Sequence, residues 1–420
     1  MITIKKNDCK VAVIGGGISG LVIAEGLQQK GYGKVTVFEK DSRVGGKLHT
    51  IWYKGKSYEL GALFGLPSQN SLKAFMKTHN IKNDGPKLSR VNYDANGNRI
   101  MQIPKEDLDD FVEELDRFPH ILNEYKSLKR VNIHSIEDSI MLPFTKWCDI
   151  NDFRVLKTVY VNYFTSYGLG DINVIPALYV LRILDYETLM SFMELPEFCT
   201  WEKGVSTFID SLKDKIKDIR LTQNVKEITK MDNGKLCVHT DFEQLEYDKV
   251  VITAPLNQFT TLCDTDYQMN QYFGSIKYQD FNVYAFITEK IPKKCGFVLE
   301  NLSIENKGHV IIWNSRWDSS NGEELVMVYA YNSPERSKEE SLEIIKRDLL
   351  KLGFVNPRLY QFKSWHQCPY VDTSTLKKGF YDKIEEMQGK NNIYIAGEIM
   401  STVSINNCIK FSNYILNRYF

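Results

Sequence analysis

A glycine-rich loop near the N-terminus constrains this chain more than any other feature. The loop is Gly15-x-Gly17-x-x-Gly20, and it directly follows an apolar run at residues 10–14 that is typical of a buried parallel strand. A helical segment follows the loop, and a second apolar strand is expected at residues 34–38. Strand, glycine loop, helix and strand form a βαβ unit, so the sequence predicts an α/β dinucleotide-binding fold.

Each glycine of the loop has a physical role in holding a dinucleotide. Gly15 permits the tight turn after the strand, Gly17 lets the backbone approach a pyrophosphate, and Gly20 lets the helix pack closely on the strand. The helix N-terminus offers unpaired N–H groups to the phosphates. Glu39 follows the second strand, where its carboxylate can accept hydrogen bonds from both ribose hydroxyls and would repel a 2′-phosphate, so NADP is disfavoured. A glycine-rich turn without a ligand is the weaker interpretation.

The pattern changes along the rest of the chain. Residues 104–215 are largely helical in pattern, with long stretches such as 176–192, whereas residues 280–332 alternate like an antiparallel sheet. Further strands of the nucleotide-binding type are expected at 249–255 and 393–396. Because these strands are far from the N-terminal unit in sequence, we expect the nucleotide-binding domain to be discontinuous.

Composition argues against several classes of function. Lys plus Arg and Asp plus Glu both number 53, so the net charge gives no electrostatic reason to expect a nucleic acid partner. The eight cysteines contain no CxxC pair, which favours a reduced, cytoplasmic protein. The seven histidines contain no HxxxH pair, so we expect no metal site. The most apolar run, residues 11–27, is too short and too interrupted by glycine for a membrane span.

Two further motifs indicate FAD rather than NAD. Residues 43–47, Arg-Val-Gly-Gly-Lys, follow the second strand, and adjacent glycines let backbone amides approach a pyrophosphate and a flavin with a cation nearby. Residues 394–398, Tyr-Ile-Ala-Gly-Glu, lie near the chain end. The pair of motifs resembles the GG-doublet flavoproteins, which include amine oxidases, phytoene desaturases and protoporphyrinogen oxidase. In that superfamily the acid at Glu398 binds the ribitol or pyrophosphate region; an ordinary surface acid is the alternative.

The chain departs from the amine oxidases and resembles another branch. Amine oxidases have a glycine-rich helix start after Ala-Gly-Glu, whereas residues 399–408 contain no glycine. The chain is similar instead to the bacterial FAD-dependent polyunsaturated fatty acid isomerases, which convert linoleate to a conjugated isomer. The likeness is carried by residues 44–47, 58–62, 65–68, 84–90, 141–144, 164–168, 176–181, 190–192 and 396–401.

This resemblance implies the architecture of the whole chain. The fold would be α/β, with a two-motif, Rossmann-like FAD-binding domain of the glutathione reductase type, a helical cap and an antiparallel β-sheet substrate domain. An apolar channel would run between them. The expected segments are 1–85, 205–260 and 375–420 for the FAD domain, 86–204 for the cap and 261–374 for the substrate domain.

The resemblance also implies which residues meet the substrate and the cofactor. Arg90 would hold the fatty acid carboxylate and Phe192 would be an aromatic gate near it. A planar guanidinium suits bidentate carboxylate recognition, although a solvated surface arginine is the alternative from the residues alone. Phe164 and Tyr167 belong to an aromatic face that is normally just packed, and we expect part of it to line the channel. The predicted cofactor-binding residues are Gly15, Gly17, Gly20, Glu39, Arg43, Gly45, Gly46, Lys47, Gly61, Ala62, Val225, Gly397 and Glu398.

The function implied is internal redox isomerisation. Flavin N5 would take a hydride from the doubly allylic methylene of a cis,cis-diene and return it at the far end, so no catalytic side chain is assigned. The partner would be a free polyunsaturated fatty acid such as linoleate, with at most transient membrane contact. The first alternative is an FAD-dependent oxidase or dehydrogenase of an amine or secondary metabolite. The second is a non-catalytic flavin- or lipid-binding protein.

Overall fold

The computed structural model describes residues 5–87, 89–193, 198–259, 261–262, 267–289, 294–317 and 322–420. Its strands are β1 (Lys10–Ile14), β2 (Lys34–Phe38), β3 (Thr50–Tyr53), β4 (Lys56–Glu59), β5 (Arg90–Tyr93), β6 (Asp218–Arg220), β7 (Glu227–Lys230), β8 (Leu236–His239), β9 (Gln244–Tyr247), β10 (Lys249–Ile252), β11 (Thr261–Leu262), β12 (Lys277–Glu289), β13 (Cys295–Val298), β14 (Ile312–Asn314), β15 (Glu323–Tyr331), β16 (Val355–Tyr370) and β17 (Ile393–Ile395). Its α-helices are α1 (Ile18–Gln29), α2 (Asn70–Thr78), α3 (Leu108–Asn123), α4 (Lys126–Lys129), α5 (Phe144–Ile150), α6 (Val155–Phe164), α7 (Ala177–Ile183), α8 (Tyr186–Met193), α9 (Ser206–Lys213), α10 (Tyr267–Gly274), α11 (Lys338–Lys351), α12 (Thr373–Lys377), α13 (Phe380–Met387), α14 (Glu398–Ser401) and α15 (Ile405–Tyr419).

A five-stranded parallel sheet forms the first layer of the fold. Its order is β17-β10-β1-β2-β6, and β1 and β2 have the bounds that the apolar runs predict. The interior of β1 is fully buried because helices cover both faces of such a sheet. Helix α1 packs closely on the C-terminal helix α15, since a Cβ atom on Gly26 would lie 2.3 Å from Leu416. The predicted α/β fold with a Rossmann-like domain is confirmed, and β10 and β17 join it from distant parts of the chain.

A six-stranded sheet of order β16-β12-β15-β14-β13-β5 forms the second layer. Strands β12 and β15 pair antiparallel, with Val283 opposite Tyr329, as the alternating pattern predicts. Strand β5 lies at the edge of this sheet, parallel to β13, and places Arg90 opposite Cys295. Arg90 therefore starts a strand of the second sheet, at the N-terminal end of the segment expected to form the cap. Smaller sheets, β3-β4 and β11-β7-β8-β9, complete the strands described.

Helices α3–α8 lie between β5 and β6 in sequence. The stretch at 176–192 forms two helices, α7 and α8, instead of one. The break occurs because the Asp185 side chain accepts a hydrogen bond from the Thr188 backbone N–H at 2.9 Å, which starts the new helix. The resulting corner brings the end of α8, with Phe192, back toward α6.

The described residues also bear on membrane-spanning helices and on the state of the cysteines. None of the helices in these ranges combines the length and apolar character that a bilayer span requires. The seven described cysteines are unpaired and buried, and Cys263 lies outside the described residues.

Candidate active site

The glycine loop lies at the carboxyl edge of the parallel sheet. Gly15 has a φ of +106°, a conformation that side chains rarely adopt. A Cβ atom on Gly20 would lie 1.9 Å from the Gly15 carbonyl oxygen, so this glycine serves the packing of α1. A Cβ atom on Gly17 would meet nothing within 4 Å, because this position opens into a cleft.

The glycine doublet docks directly on this loop. The Gly45 N–H donates to the Gly16 carbonyl at 2.7 Å, with φ angles of +112° at Gly45 and +53° at Gly46. The Arg43 guanidinium donates to the carbonyls of Val44, at 3.0 Å, and Gly46, at 2.6 Å. Its pKa is lowered by burial. Arg43 does not line the cleft, and its hydrogen bonds stabilise the glycine doublet instead.

Glu39 is buried at the cleft wall. Its Oε2 accepts from the Gly16 N–H at 2.8 Å and its Oε1 from the Asp41 N–H at 2.9 Å. Burial raises the pKa of this carboxyl, and the two backbone donors oppose that rise. Because each carboxylate oxygen has a second lone pair, Glu39 can still accept hydrogen bonds from a ligand.

The C-terminal motif closes the other end of the cleft. Gly397 has a φ of +82°, and a Cβ atom there would lie 2.5 Å from the Thr253 carbonyl oxygen, which brings this turn close to the end of β10. Glu398 begins α14, and its Oε2 lies 2.5 Å from the Lys47 Nζ. The two flavin-type motifs therefore meet through an ion pair.

The cleft between these elements is about 1430 Å³ when measured out to solvent. Its walls include the predicted residues Gly15, Gly17, Glu39, Gly45, Gly46, Lys47, Val225, Gly397 and Glu398. Backbone donors, the open space above Gly17 and the acid at Glu39 together fit a long dinucleotide. Sequence reasoning missed further wall residues, among them Gln223, Thr253, Tyr278 and Trp365, because they carry no motif.

A second, mainly apolar cavity of about 1210 Å³ adjoins the cleft. The two spaces share the wall residues Ile18, Lys47, Leu48, Trp365, Glu398 and Cys408. Gly61 and Ala62, predicted at the cofactor, line this second cavity instead. A Cβ atom on Gly61 would lie 1.9 Å from the Lys47 carbonyl, so no other residue fits there. We call this space the substrate cavity.

Aromatic rings form one end of the substrate cavity. Tyr167 packs against Phe64 and Phe192 with 5.4 Å between ring centroids in both contacts. Phe192 also contacts Tyr163 at 5.1 Å. Phe164 is fully buried in the core and lines neither cavity, since a turn of about 100° per residue separates it from the face of Tyr163.

Arg90 lies behind this aromatic end. Its Cζ is 4.2 Å from the ring centroid of Tyr163 and 4.3 Å from that of Phe297. Its Nε and Nη2 atoms are buried and have no hydrogen-bond partner among the residues described. The Tyr167 hydroxyl is buried and equally unpartnered in that part of the chain. Buried donors are nearly always satisfied, so an unpaired guanidinium and hydroxyl leave room for an acceptor from a ligand.

The described wall of the substrate cavity offers no side chain suited to removing a proton. Its described wall contains no histidine, and its one carboxylate, Glu398, is paired with Lys47. Burial raises the pKa values of Tyr167 and Tyr329 well above the usual range and raises the pKa of Cys408. Raised pKa values keep these groups protonated at neutral pH.

Comparisons with known proteins agree with this geometry. The profile of the family described as flavin containing amine oxidoreductase matches residues 18–410. The solved structure of a CLA-producing fatty acid isomerase from P. acnes superposes with a TM-score of 0.92 and 29% identity, covering 100% of both chains. This similarity confirms the resemblance to the fatty acid isomerases that the sequence motifs predict.

Two curated relatives differ widely in how much of this chain they match. Polyamine oxidase 4 from Oryza sativa subsp. japonica is 29% identical over an alignment that covers 93% of this chain and 84% of the relative. Tryptophan 2-monooxygenase from Agrobacterium vitis is 41% identical over 80 residues, only 18% of this chain. That match spans 11% of the relative's length, so it concerns a local segment.

Proposed function

The chain belongs to the flavin containing amine oxidoreductase family, and from that premise we propose that it is an FAD-dependent isomerase of polyunsaturated free fatty acids. It would move a double bond of a linoleate-like substrate into conjugation. The observation that carries this proposal is a set of buried, unpartnered donor atoms: the hydroxyl of Tyr167 on the wall of an apolar cavity, and the Nε and Nη2 of Arg90 behind its aromatic end.

An anionic head group and an apolar tail match the two ends of this cavity. A carboxylate can accept two hydrogen bonds from the fork of a guanidinium, and the Tyr167 hydroxyl supplies a third donor. Arg90 itself is not on the cavity wall; Tyr163 and Tyr167 stand in front of it. We therefore assign Phe192, which touches both tyrosines, as the gate that a carboxylate must pass.

The cleft residues would hold the FAD. Gly15, Gly17, Gly45 and Gly46 would face the pyrophosphate with their backbones, and Glu39 would accept the ribose hydroxyls. The bound flavin would supply a hydride acceptor and donor next to the substrate cavity. The Lys47–Glu398 pair stands where the two spaces meet, and it would fix the position of the cofactor relative to the substrate.

The remaining wall residues would orient the acyl chain and exclude water. Ring and aliphatic side chains leave few hydrogen-bonding groups for solvent, which suits a reactive, electron-poor carbon chain. The absence of a free base among the described wall residues disfavours removal of the substrate hydrogen as a proton. We infer that the hydrogen leaves and returns as hydride, so the product keeps the oxidation level of the substrate.

Oxidation of an amine is the second candidate, favoured by the similarity to rice polyamine oxidase. A polyamine is a cation, and it would need carboxylates or aromatic faces free to receive it. In the described part of the substrate cavity the one carboxylate, Glu398, is already paired with Lys47, and the positive Arg90 lies behind the aromatic rings that would otherwise receive a cation. These charges favour an anionic substrate.

The test is to incubate the FAD-loaded protein with linoleate in sealed vessels, under nitrogen and in air. Conjugated diene is followed by its ultraviolet absorbance, and hydrogen peroxide is assayed in parallel. We expect conjugated product at equal rates in both atmospheres, without peroxide. Peroxide formed in proportion to substrate loss, or turnover of spermine or putrescine but not linoleate, would replace the isomerase proposal with the oxidase.

A further inference from the structure

A third cavity lies among the helices, outside the site described above. It measures about 1270 Å³ out to solvent, and we call it the cap cavity. Its walls are formed by Pro119, Leu122, Asn123, Leu128, Lys129, Arg130, Val131, Leu181, Arg182, Asp185, Tyr186, Glu187, Ser401, Asn406, Asn407, Lys410 and Phe411. The corner between α7 and α8 separates it from the substrate cavity, since Ile183 and Leu184 face the latter.

Positive side chains dominate the cap cavity. Lys129, Arg130, Arg182 and Lys410 line it, together with the two carboxylates of Asp185 and Glu187. Among the described residues no carboxylate forms an ion pair with any of the four cations. Asp185 is occupied in capping α8 through the Thr188 N–H.

Arg182 is held in place by neutral groups alone. Its Nη1 donates to the carbonyls of Ser127 at 3.1 Å and Arg130 at 2.9 Å, and its Nη2 donates to the Val131 carbonyl at 2.9 Å. Its Nε is buried and has no partner in the described ranges. Burial lowers the pKa of Arg182 to about 10. A guanidinium fixed by three carbonyls is pre-organised, because it needs no rearrangement to receive an anion.

Lys410 faces the same space from α15. Burial and the nearby charge of Arg182 lower its pKa, whereas Asp185 acts in the opposite direction. The two cations therefore repel each other across the cavity, and a bound anion would relieve that repulsion. Asn407 stands beside them and donates to Thr402 Oγ1 at 3.0 Å.

We propose that the cap cavity binds a second ligand, one that carries an oxyanion on a partly apolar body. Arg182 and Lys410 receive the oxyanion, with Arg130 at the side. Leu122, Leu128, Leu181 and Phe411 contact the apolar part. Carboxylate and phosphate share this chemistry. The site is independent of the proposed isomerisation, since it shares no wall residue with the substrate cavity.

Isothermal titration calorimetry of the FAD-loaded protein tests this proposal. The probes are inorganic phosphate and butyrate, each compared with chloride at equal ionic strength, in the Arg90→Leu background so that carboxylates cannot bind at the first site. We expect saturable binding of at least one probe, and the stronger probe identifies the head group. Lys410→Gln should weaken that binding by about fivefold, as expected for one partly exposed ion pair.

Three further variants serve as comparisons for Lys410→Gln. Arg130→Gln should weaken binding to a similar or smaller degree, while Lys351→Gln, on the exposed end of α11, should leave it unchanged. Arg182→Gln is expected to abolish binding, but it also removes contacts that hold three carbonyls, so its folding is checked by circular dichroism. Equal heats for both probes and chloride, or full affinity in Lys410→Gln, would overturn the proposal.

Discussion

The cofactor cleft and the substrate cavity adjoin each other, yet they are built in different ways. In the cleft, the charged groups that the motifs supply already have partners within the protein: Glu39 accepts from two backbone N–H groups, and Lys47 pairs with Glu398. Behind the aromatic end of the substrate cavity, the half-buried Arg90 lies against two rings, and its Nε and Nη2 atoms have no acceptor in the described chain. The motif residues of the cleft are therefore paired without a ligand, whereas the positive charge of Arg90 has no described acceptor.

This difference suggests what each region recognises. Backbone groups and glycines suit a ligand of fixed shape, because their positions follow from the fold. An unpaired guanidinium in an apolar surrounding costs free energy until an anion arrives, so it selects strongly for charge.

The largest effect should separate Arg316, which has an ion-pair partner, from Arg90, which has none among the described residues. Arg316 pairs with Glu59 at 3.0 Å, and both side chains are almost fully buried. Arg316→Leu leaves that carboxylate unpaired and should lower the free energy of unfolding by about 3–5 kcal/mol. Arg90→Leu removes a charge that has no partner, so it should leave the stability unchanged or higher. Urea unfolding of the two variants measures both values.

Arg90→Leu should have a much larger effect on substrate binding than on stability. Free fatty acid should bind more weakly by about 2–5 kcal/mol, while its methyl ester should be little affected. Equilibrium titration with both ligands provides the comparison. A marked loss of stability in Arg90→Leu, or equal losses for acid and ester, would show that Arg90 is a structural residue.

Gly17→Val should come next in magnitude. Its side chain would fill the open space at the loop, and adding bulk to a close-fitting site costs up to about 3 kcal/mol, or roughly a hundredfold in FAD affinity. The flavin content after purification and a fluorescence titration with FAD measure this effect. Gly274→Ala, at another position with open space, serves as the control and should retain FAD. Undiminished flavin in Gly17→Val would remove the loop from the cofactor site.

His49, whose ring contacts the cleft residue Trp365, makes the stability of the fold depend on pH. Its ring packs edge-on against Trp365, and burial, with smaller effects of Arg43 and Lys363, lowers its pKa to about 4. The unfolded chain therefore binds more protons than the folded chain below about pH 6.5, so stability falls as the pH decreases toward 4. At pH 5 the loss should be about 2 kcal/mol. His49→Phe should flatten this part of the profile, and an unchanged slope would contradict the assignment.

The smallest effect should belong to Tyr167→Phe. The hydroxyl has no partner in the described protein, so its removal should not destabilise the fold. If it donates to the substrate carboxylate, free fatty acid should bind more weakly by about 1 kcal/mol. Tyr163→Phe is a useful comparison, because that hydroxyl already donates to Gln102 at 3.0 Å. An equal effect of both variants would argue against a specific contact of Tyr167.

The sequence predicts the cofactor cleft far better than the substrate cavity, for a physical reason. Recognition by backbone needs glycines at fixed spacing, and Gly15, Gly17, Gly45 and Gly46 stand close to strands whose pattern is plain. Even there, Arg43 braces the doublet instead of lining the cleft, because its guanidinium reaches three nearby carbonyls.

The substrate cavity depends on contacts between distant segments. Phe297, which covers one face of Arg90, lies on β13, and no local pattern links it to residue 90. Helical spacing places Tyr163 and Tyr167 on one face but cannot tell that Phe164 turns into the core. Gly61 and Ala62, predicted at the cofactor, line the substrate cavity, and the motif around them does not show which of two adjoining spaces they face.

The most direct measurement uses linoleate that carries deuterium at its doubly allylic carbon. The described cavity wall has no free base, so we predict that this hydrogen leaves as hydride and that deuterium reappears at the far carbon of the new diene. Mass spectrometry and deuterium NMR of the product locate the label, and a parallel reaction of unlabelled linoleate in deuterated water measures exchange with solvent. Retention of the label within the molecule is the predicted result. Product whose new hydrogen comes entirely from solvent would contradict the account.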